Sequence, residues 1–265
     1  MEKQNGFAEV NGTRLYYEVA GSGHPLVLIH GITLDTRMWD DQFEIFAQHY
    51  QVIRYDMRGF GKSSLPTGEI YFHADDLKAL IEHFGIENAY IIGLSMGGMI
   101  AIDFALAYPG ATDVLILVDS LLGGFQWKEF GTSLASVWSR GREFGVQDAK
   151  EVWLGLDLFR PAMEKPDVAP RLTRMVSDYS GWSWVNEDTV RNPDPPAAQR
   201  LKEIKVPTLI IVGERDLPDF HAISDTLQQQ IHNARKVVLP GVGHMSNMEN
   251  PDKFNEIVLN FLADI

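Results

Sequence analysis

Three side chains of this 265-residue chain could together attack a carbonyl and manage the proton that the attack releases. Ser95 lies in "GLSMGG" at 93–98, Asp216 ends "GERD" at 213–216, and His244 lies in "GVGHMSN" at 241–247. A serine hydroxyl is a weak nucleophile alone. An imidazole that takes its proton activates it, and a carboxylate behind the imidazole orients the ring and stabilises its cation. Ser95 sits between glycines two positions away on either side, after the apolar run Ala89–Ile92 and before a helical pattern from Met96. A sharp strand-to-helix turn there would present the hydroxyl at the end of a strand, with free helix N-terminal N–H groups beside it. Side chains at Gly93 and Gly97 would collide in such a turn, and Gly98 would let the helix approach the sheet.

The chain has eight histidines. His244 is the candidate base because it follows the strand pattern "KVVLP" and precedes the last helix. His30 ends a strand beside Gly31. His49, His73 and His83 fall on surface-helix patterns and are expected to be solvated. Asp216 ranks first as the orienting acid because it follows the penultimate strand in a short polar loop. Glu214 and Asp219 are its neighbours in that loop. Asp119 ends an earlier strand, where a capping role at the entry to the next segment is the plainer expectation.

The elements that must position these residues alternate. Strand patterns at 7–10, 14–19, 25–31, 50–56, 89–93, 113–119, 207–213 and 235–240 are separated by helical patterns at 39–47, 71–84, 96–107, about 218–232 and 251–263. Asn11-Gly12 reads as a hairpin turn. The central strands are apolar throughout, as strands covered on both faces are, so the expected class is α/β: a mostly parallel twisted sheet with helices on both faces. Ligands of such sheets bind beyond the C-terminal strand ends, where Ser95, Asp216 and His244 all fall.

Residues 121–200 break the alternation. They hold five of the six tryptophans (Trp127, Trp138, Trp153, Trp182 and Trp184) and carry a net charge of −1, against −12 for the rest of the chain. The expected organisation is a core of 1–120 and 201–265 with a helical cap, 121–200, inserted in it. The tryptophans either form the cap's own small core or line a pocket.

The net charge of −13 disfavours nucleic acid as a partner. No apolar run is long enough for a membrane span, and "MEKQNGFAEV" lacks the features of a signal peptide, so a cytoplasmic protein is expected. There is no cysteine, no metal-ligand pattern and no expected cofactor. "DMRGFGKSS" lacks phosphate-loop spacing and reads as a structural loop in which Asp56 and Arg58 could pair.

Together, "HG" at 30–31, "DMRGFGKS" at 56–63, "GLSMGG", "GERD" and "GHMSNMENP" at 243–251 resemble the α/β-hydrolase superfamily over the whole chain outside the cap. Within it, "TLDTRMWD", "RYDMRGFGKSS" and "GLSMGGMIA" look like β-ketoadipate enol-lactonases and related carboxylesterases. The resemblance implies an α/β-hydrolase fold, a catalytic triad of Ser95, Asp216 and His244, and an oxyanion hole formed by the backbone N–H groups of Ile32 and Met96. It implies hydrolysis of a small-molecule carboxylic ester or lactone. Carbon–carbon bond hydrolysis, perhydrolysis, or ligand reception on a hydrolase scaffold would use the same framework. A dicarboxylate-like substrate would call for a cation in the pocket, for which Arg140, Arg142, Arg160, Arg171 and Arg174 are the cap's candidates.

Overall fold

A computed structural model describes residues 3–265. The chain opens with a hairpin, β1 (Lys3–Val10) and β2 (Thr13–Ala20), turning at Asn11-Gly12, both of which have positive φ. Then follow β3 (Pro25–Ile29), α1 (Asp40–Phe46), β4 (Gln51–Tyr55), α2 (His73–His83), β5 (Ala89–Leu94), α3 (Met96–Ala107) and β6 (Thr112–Val118). Five helices come next: α4 (Phe130–Phe144), α5 (Val146–Leu154), α6 (Arg160–Met163), α7 (Ala169–Asp178) and α8 (Trp182–Val185). The chain closes with β7 (Thr208–Gly213), α9 (Pro218–Gln230), β8 (Ala234–Leu239), α10 (Ser246–Glu249) and α11 (Pro251–Ala263).

The eight strands form one sheet in the order β1-β2-β4-β3-β5-β6-β7-β8. β1–β2 and β2–β4 pair antiparallel, and every other pair is parallel. The expected α/β class with a mostly parallel sheet is therefore the observed one. Its central strands β3, β5, β6 and β7 are almost wholly buried, which is why their sequences are apolar at every position rather than at alternate ones. From β3 the chain runs first to β4 on one side and then to β5 on the other. That reversal leaves a crevice beyond the C-terminal ends of β3 and β5.

Helices α4 to α8 lie between β6 and β7, two strands that pair with each other, so residues 119–207 form an excursion from the sheet edge and back. Among the described residues this excursion contains no strand longer than the single bridge of Val190 to Tyr71. Asp219 on α9 ties its start to the core. The carboxylate accepts the N–H groups of Lys128, Glu129 and Phe130 at 3.2, 2.9 and 2.8 Å, just where α4 begins.

Two local expectations are corrected. His73 is buried rather than solvated, packed edge-on against Tyr71, and burial pushes its imidazole down to about 3. Arg58 pairs with Asp76 on α2 rather than with Asp56. Asp56 instead accepts the N–H groups of Thr36 and Lys62, both at 2.8 Å, closing the loop after β4 onto the loop after β3.

Candidate active site

Ser95 occupies the turn between β5 and α3 with φ 55° and ψ −115°. A non-glycine residue at positive φ is strained by roughly 1–3 kcal/mol and persists only where its surroundings enforce it. Here they do. Ser95 donates its N–H to Val118 O at 2.9 Å, and its carbonyl accepts from Met99 N and Leu121 N. The turn is so tight that a Cβ at Gly93 would lie 2.1 Å from Gly97 O, and one at Gly97 2.3 Å from Ile29 O. The glycines are there because the helix backbone touches the strand backbones.

His244 is buried and bonds through Nδ1 to Asp216 Oδ2 at 2.9 Å, while Asp216 Oδ1 accepts the Leu217 N–H at 2.7 Å. The carboxylate can only accept, so Nδ1 carries the proton and Nε2 is left with a free lone pair. Phe220 packs on the ring with centroids 4.3 Å apart. Glu249 accepts the N–H groups on both sides of His244, from Gly243 at 2.8 Å and Met245 at 3.1 Å. Among the described residues no hydrogen bond joins Ser95 Oγ to His244. The two instead line one narrow cavity of about 10 Å³, together with Ile32 of the core and Trp153, Leu158 and Phe159 of the excursion.

The other acids are placed elsewhere. Glu214 accepts the Gly241 N–H, and Asp219 caps α4. Asp119 does not cap the entry to the excursion. It accepts the Gly213 N–H at 2.8 Å and the Ser246 hydroxyl at 2.5 Å, tying together the loops that carry Asp216 and His244. Burial, and then the charge of Asp216, push Asp119 well above the usual carboxylate range. Loss of water and the like charge of Asp216 beside it both disfavour the ionised form of Asp119.

The loop after β3 carries Ile32, which lines the cavity. Among the described residues neither the Ile32 nor the Met96 N–H has a protein acceptor, as an oxyanion hole requires. His30 lies beneath this loop, its Nε2 accepting the Met57 N–H and its Nδ1 donating to Gly31 O at 2.8 Å, so it has no nitrogen to offer as a base.

Of the five arginine candidates none lines the cavity. Arg140, Arg160, Arg171 and Arg174 pair with Asp148, Asp157, Asp41 and Asp178, and Arg142 borders a separate surface cleft. Of the tryptophans only Trp153 lines it, while Trp184 packs behind Trp153 with centroids 6.3 Å apart. Trp153 also donates its Nε1–H to Thr33 Oγ1 at 2.8 Å. These residues are 120 positions apart, and no motif signals the contact. A larger cleft of about 360 Å³, lined by Asp35, Arg37, Asp178 and Tyr179 among others, adjoins at Leu34 but contains neither Ser95 nor His244. Among the described residues no cluster of His, Asp or Glu could hold a metal ion, and no helix is long and apolar enough to cross a membrane.

Residues 24–251 match the family described as alpha/beta hydrolase fold. A 2-hydroxy-6-oxononadienedioate/2-hydroxy-6-oxononatrienedioate hydrolase of Paraburkholderia phymatum is 30% identical over 94% of this chain and 91% of its own. The enol-lactonase of Burkholderia xenovorans superposes with a TM-score of 0.82 at 27% identity, over 97% of this chain and 100% of its own. A thermophilic esterase of Thermogutta terrifontis, solved with malate bound, gives 0.82 at 27% identity over 98% of both chains. This protein belongs to the α/β-hydrolase family of hydrolytic enzymes.

Proposed function

We propose that this hydrolase cleaves a small carboxylic ester or lactone through an acyl-enzyme on Ser95. The observation that carries the reading is a strained serine and an aspartate-bound histidine opening on the same small cavity. Ser95 Oγ attacks the substrate carbonyl carbon and its proton passes to His244 Nε2. Asp216 stabilises the imidazolium, and the Ile32 and Met96 N–H groups hold the oxyanion, each worth about 3–4 kcal/mol in related chemistry. Collapse breaks the bond to the alcohol oxygen, which takes the proton from His244. Water then attacks the acyl carbon, giving one proton to His244. Release of the acid returns that proton to Ser95.

A narrow cavity lined without lysine or arginine favours a short, uncharged acyl group over a dicarboxylate. The resemblance to a dienedioate hydrolase favours carbon–carbon hydrolysis as the second reading. A panel of short and long acyl esters, an enol-lactone and a dienoate separates the two. Ser95→Ala should lose nearly all turnover of the best ester while melting as a folded protein. More than a few per cent of residual hydrolysis in the pure variant would sink the acyl-enzyme reading.

A further inference from the structure

Residues 31–34 form a tight turn, closed by Leu34 N–H donating to Gly31 O at 3.3 Å. Its third residue, Thr33, has φ 66°. Turns ordinarily place glycine where that position has positive φ, because a β-branched side chain is strained there. The chain keeps threonine instead, and buries it. The hydroxyl accepts the Nε1–H of Trp153, which is itself wholly buried near the end of α5. Thr33 directly follows Ile32, and Trp153 lines the same cavity as Ile32, Ser95 and His244.

From this geometry we propose that Trp153 is a positioning residue for the Ile32 N–H, through Thr33, so that the seating of the excursion on the core sets the alignment of the oxyanion hole. Glycine at 33 would relieve the strain but leave Trp153 nothing to hold. The core side grips the loop separately, through His30 to Gly31 O and through the Gly31 N–H to the Met38 sulfur. The indole bond is the grip from the opposite wall. Trp153 is held by ring contacts with Phe159 and Trp184, at 5.2 and 6.3 Å between centroids, so its donor points from a packed aromatic cluster. A substrate that fills the cavity presses on the same ring that steadies the oxyanion donor.

This inference rests on the ester-hydrolase reading above. Its test is a double-mutant cycle on the best ester of the panel. Thr33→Val keeps the branch and volume but removes the acceptor. Trp153→Phe keeps an aromatic ring but removes the donor. Each should lower kcat by about 10- to 100-fold with KM changed by less than about threefold. The double variant should be no worse than the weaker single, because both remove one bond. Thr33→Ser should restore most of the rate. Affinity for a boronic acid that mimics the tetrahedral intermediate should fall in step with kcat. If Trp153→Phe does not fold, Thr33→Val and Thr33→Ser carry the same test. Unchanged kcat in the valine variant, or losses that multiply in the double variant, overturn the inference while leaving the Ser95 mechanism intact. Full activity of Ser95→Ala in the same assay overturns the mechanism and this inference with it.

Discussion

On the sheet side of the cavity, the segments that carry Ser95, Asp216 and His244 are held by hydrogen bonds on their main-chain groups. The turn at Ser95 is closed by main-chain bonds to Val118, Met99 and Leu121, and the His244 loop is clamped on both sides by Glu249. On the opposite side, Trp153, Leu158 and Phe159 are held by ring packing within the excursion. Thr33 and Trp153 supply a polar bond across the gap. Backbone geometry defines atoms to a fraction of an ångström, which proton transfer needs. Side-chain packing tolerates exchange at similar volume, which suits a wall that selects substrates. The sheet wall should therefore govern kcat, and the opposite wall KM and acyl preference, with Trp153 the exception.

The largest effect that sharpens this contrast is expected at the two buried carboxylates. Asp216→Asn leaves the imidazole without its anion and should lower kcat by about 10³–10⁴-fold. Asp119→Asn should lower it by less than about tenfold, because an amide oxygen can still accept from Gly213 while its NH2 donates to the Ser246 hydroxyl oxygen. Steady-state kinetics on both variants checks the pair. Equal losses would mean that Asp119 acts as an anion.

A smaller effect is expected at Phe159. Phe159→Leu opens the excursion wall by a few atoms and should shift preference toward longer acyl chains by about 1–2 kcal/mol, read as kcat/KM across an ester series. An unchanged chain-length profile with reduced kcat would place Phe159 with the catalytic wall and break the division.

The smallest effect on catalysis is expected away from both walls. Asp103 on α3 is buried with Oδ1 unpartnered, and burial pushes its carboxyl up to about 7, with Arg200 opposing. A carboxyl raised above its ordinary 3.8 contributes its full stability below that pH and loses it as pH rises through about 7. Asp103→Asn should therefore gain in melting temperature over the parent as pH goes from 4 to 8, with kcat unchanged. A pH-independent difference in melting temperature counts against a neutral buried carboxyl.

Much of the sheet wall is legible along the chain. The glycines around Ser95, the apolar strands and the helix bounds 96–107 and 251–263 are local patterns, and local sterics enforce them. The choice among acids is less legible, because Asp119, Glu214, Asp216 and Asp219 all stand near strand ends. Only the fold shows that His244 bonds to Asp216 while the others hold backbone. His73 reads as solvated because it begins an amphipathic helix, but the helix start is the end that Tyr71 covers. The arginines of residues 121–200 read as possible pocket cations because charge carries no address. In space each of the four that pair has an aspartate partner.

The sequence by itself determined the α/β class, the strained serine and the family, because each rests on periodicity or on a short motif whose sterics act within a few residues. The sequence ranked Asp216 first among the acids; the tertiary structure alone decided what the other acids hold, which tryptophan reaches the cavity, and that Thr33 is held from the far wall. Those depend on contacts between residues up to 127 positions apart, where no local rule couples one residue type to another.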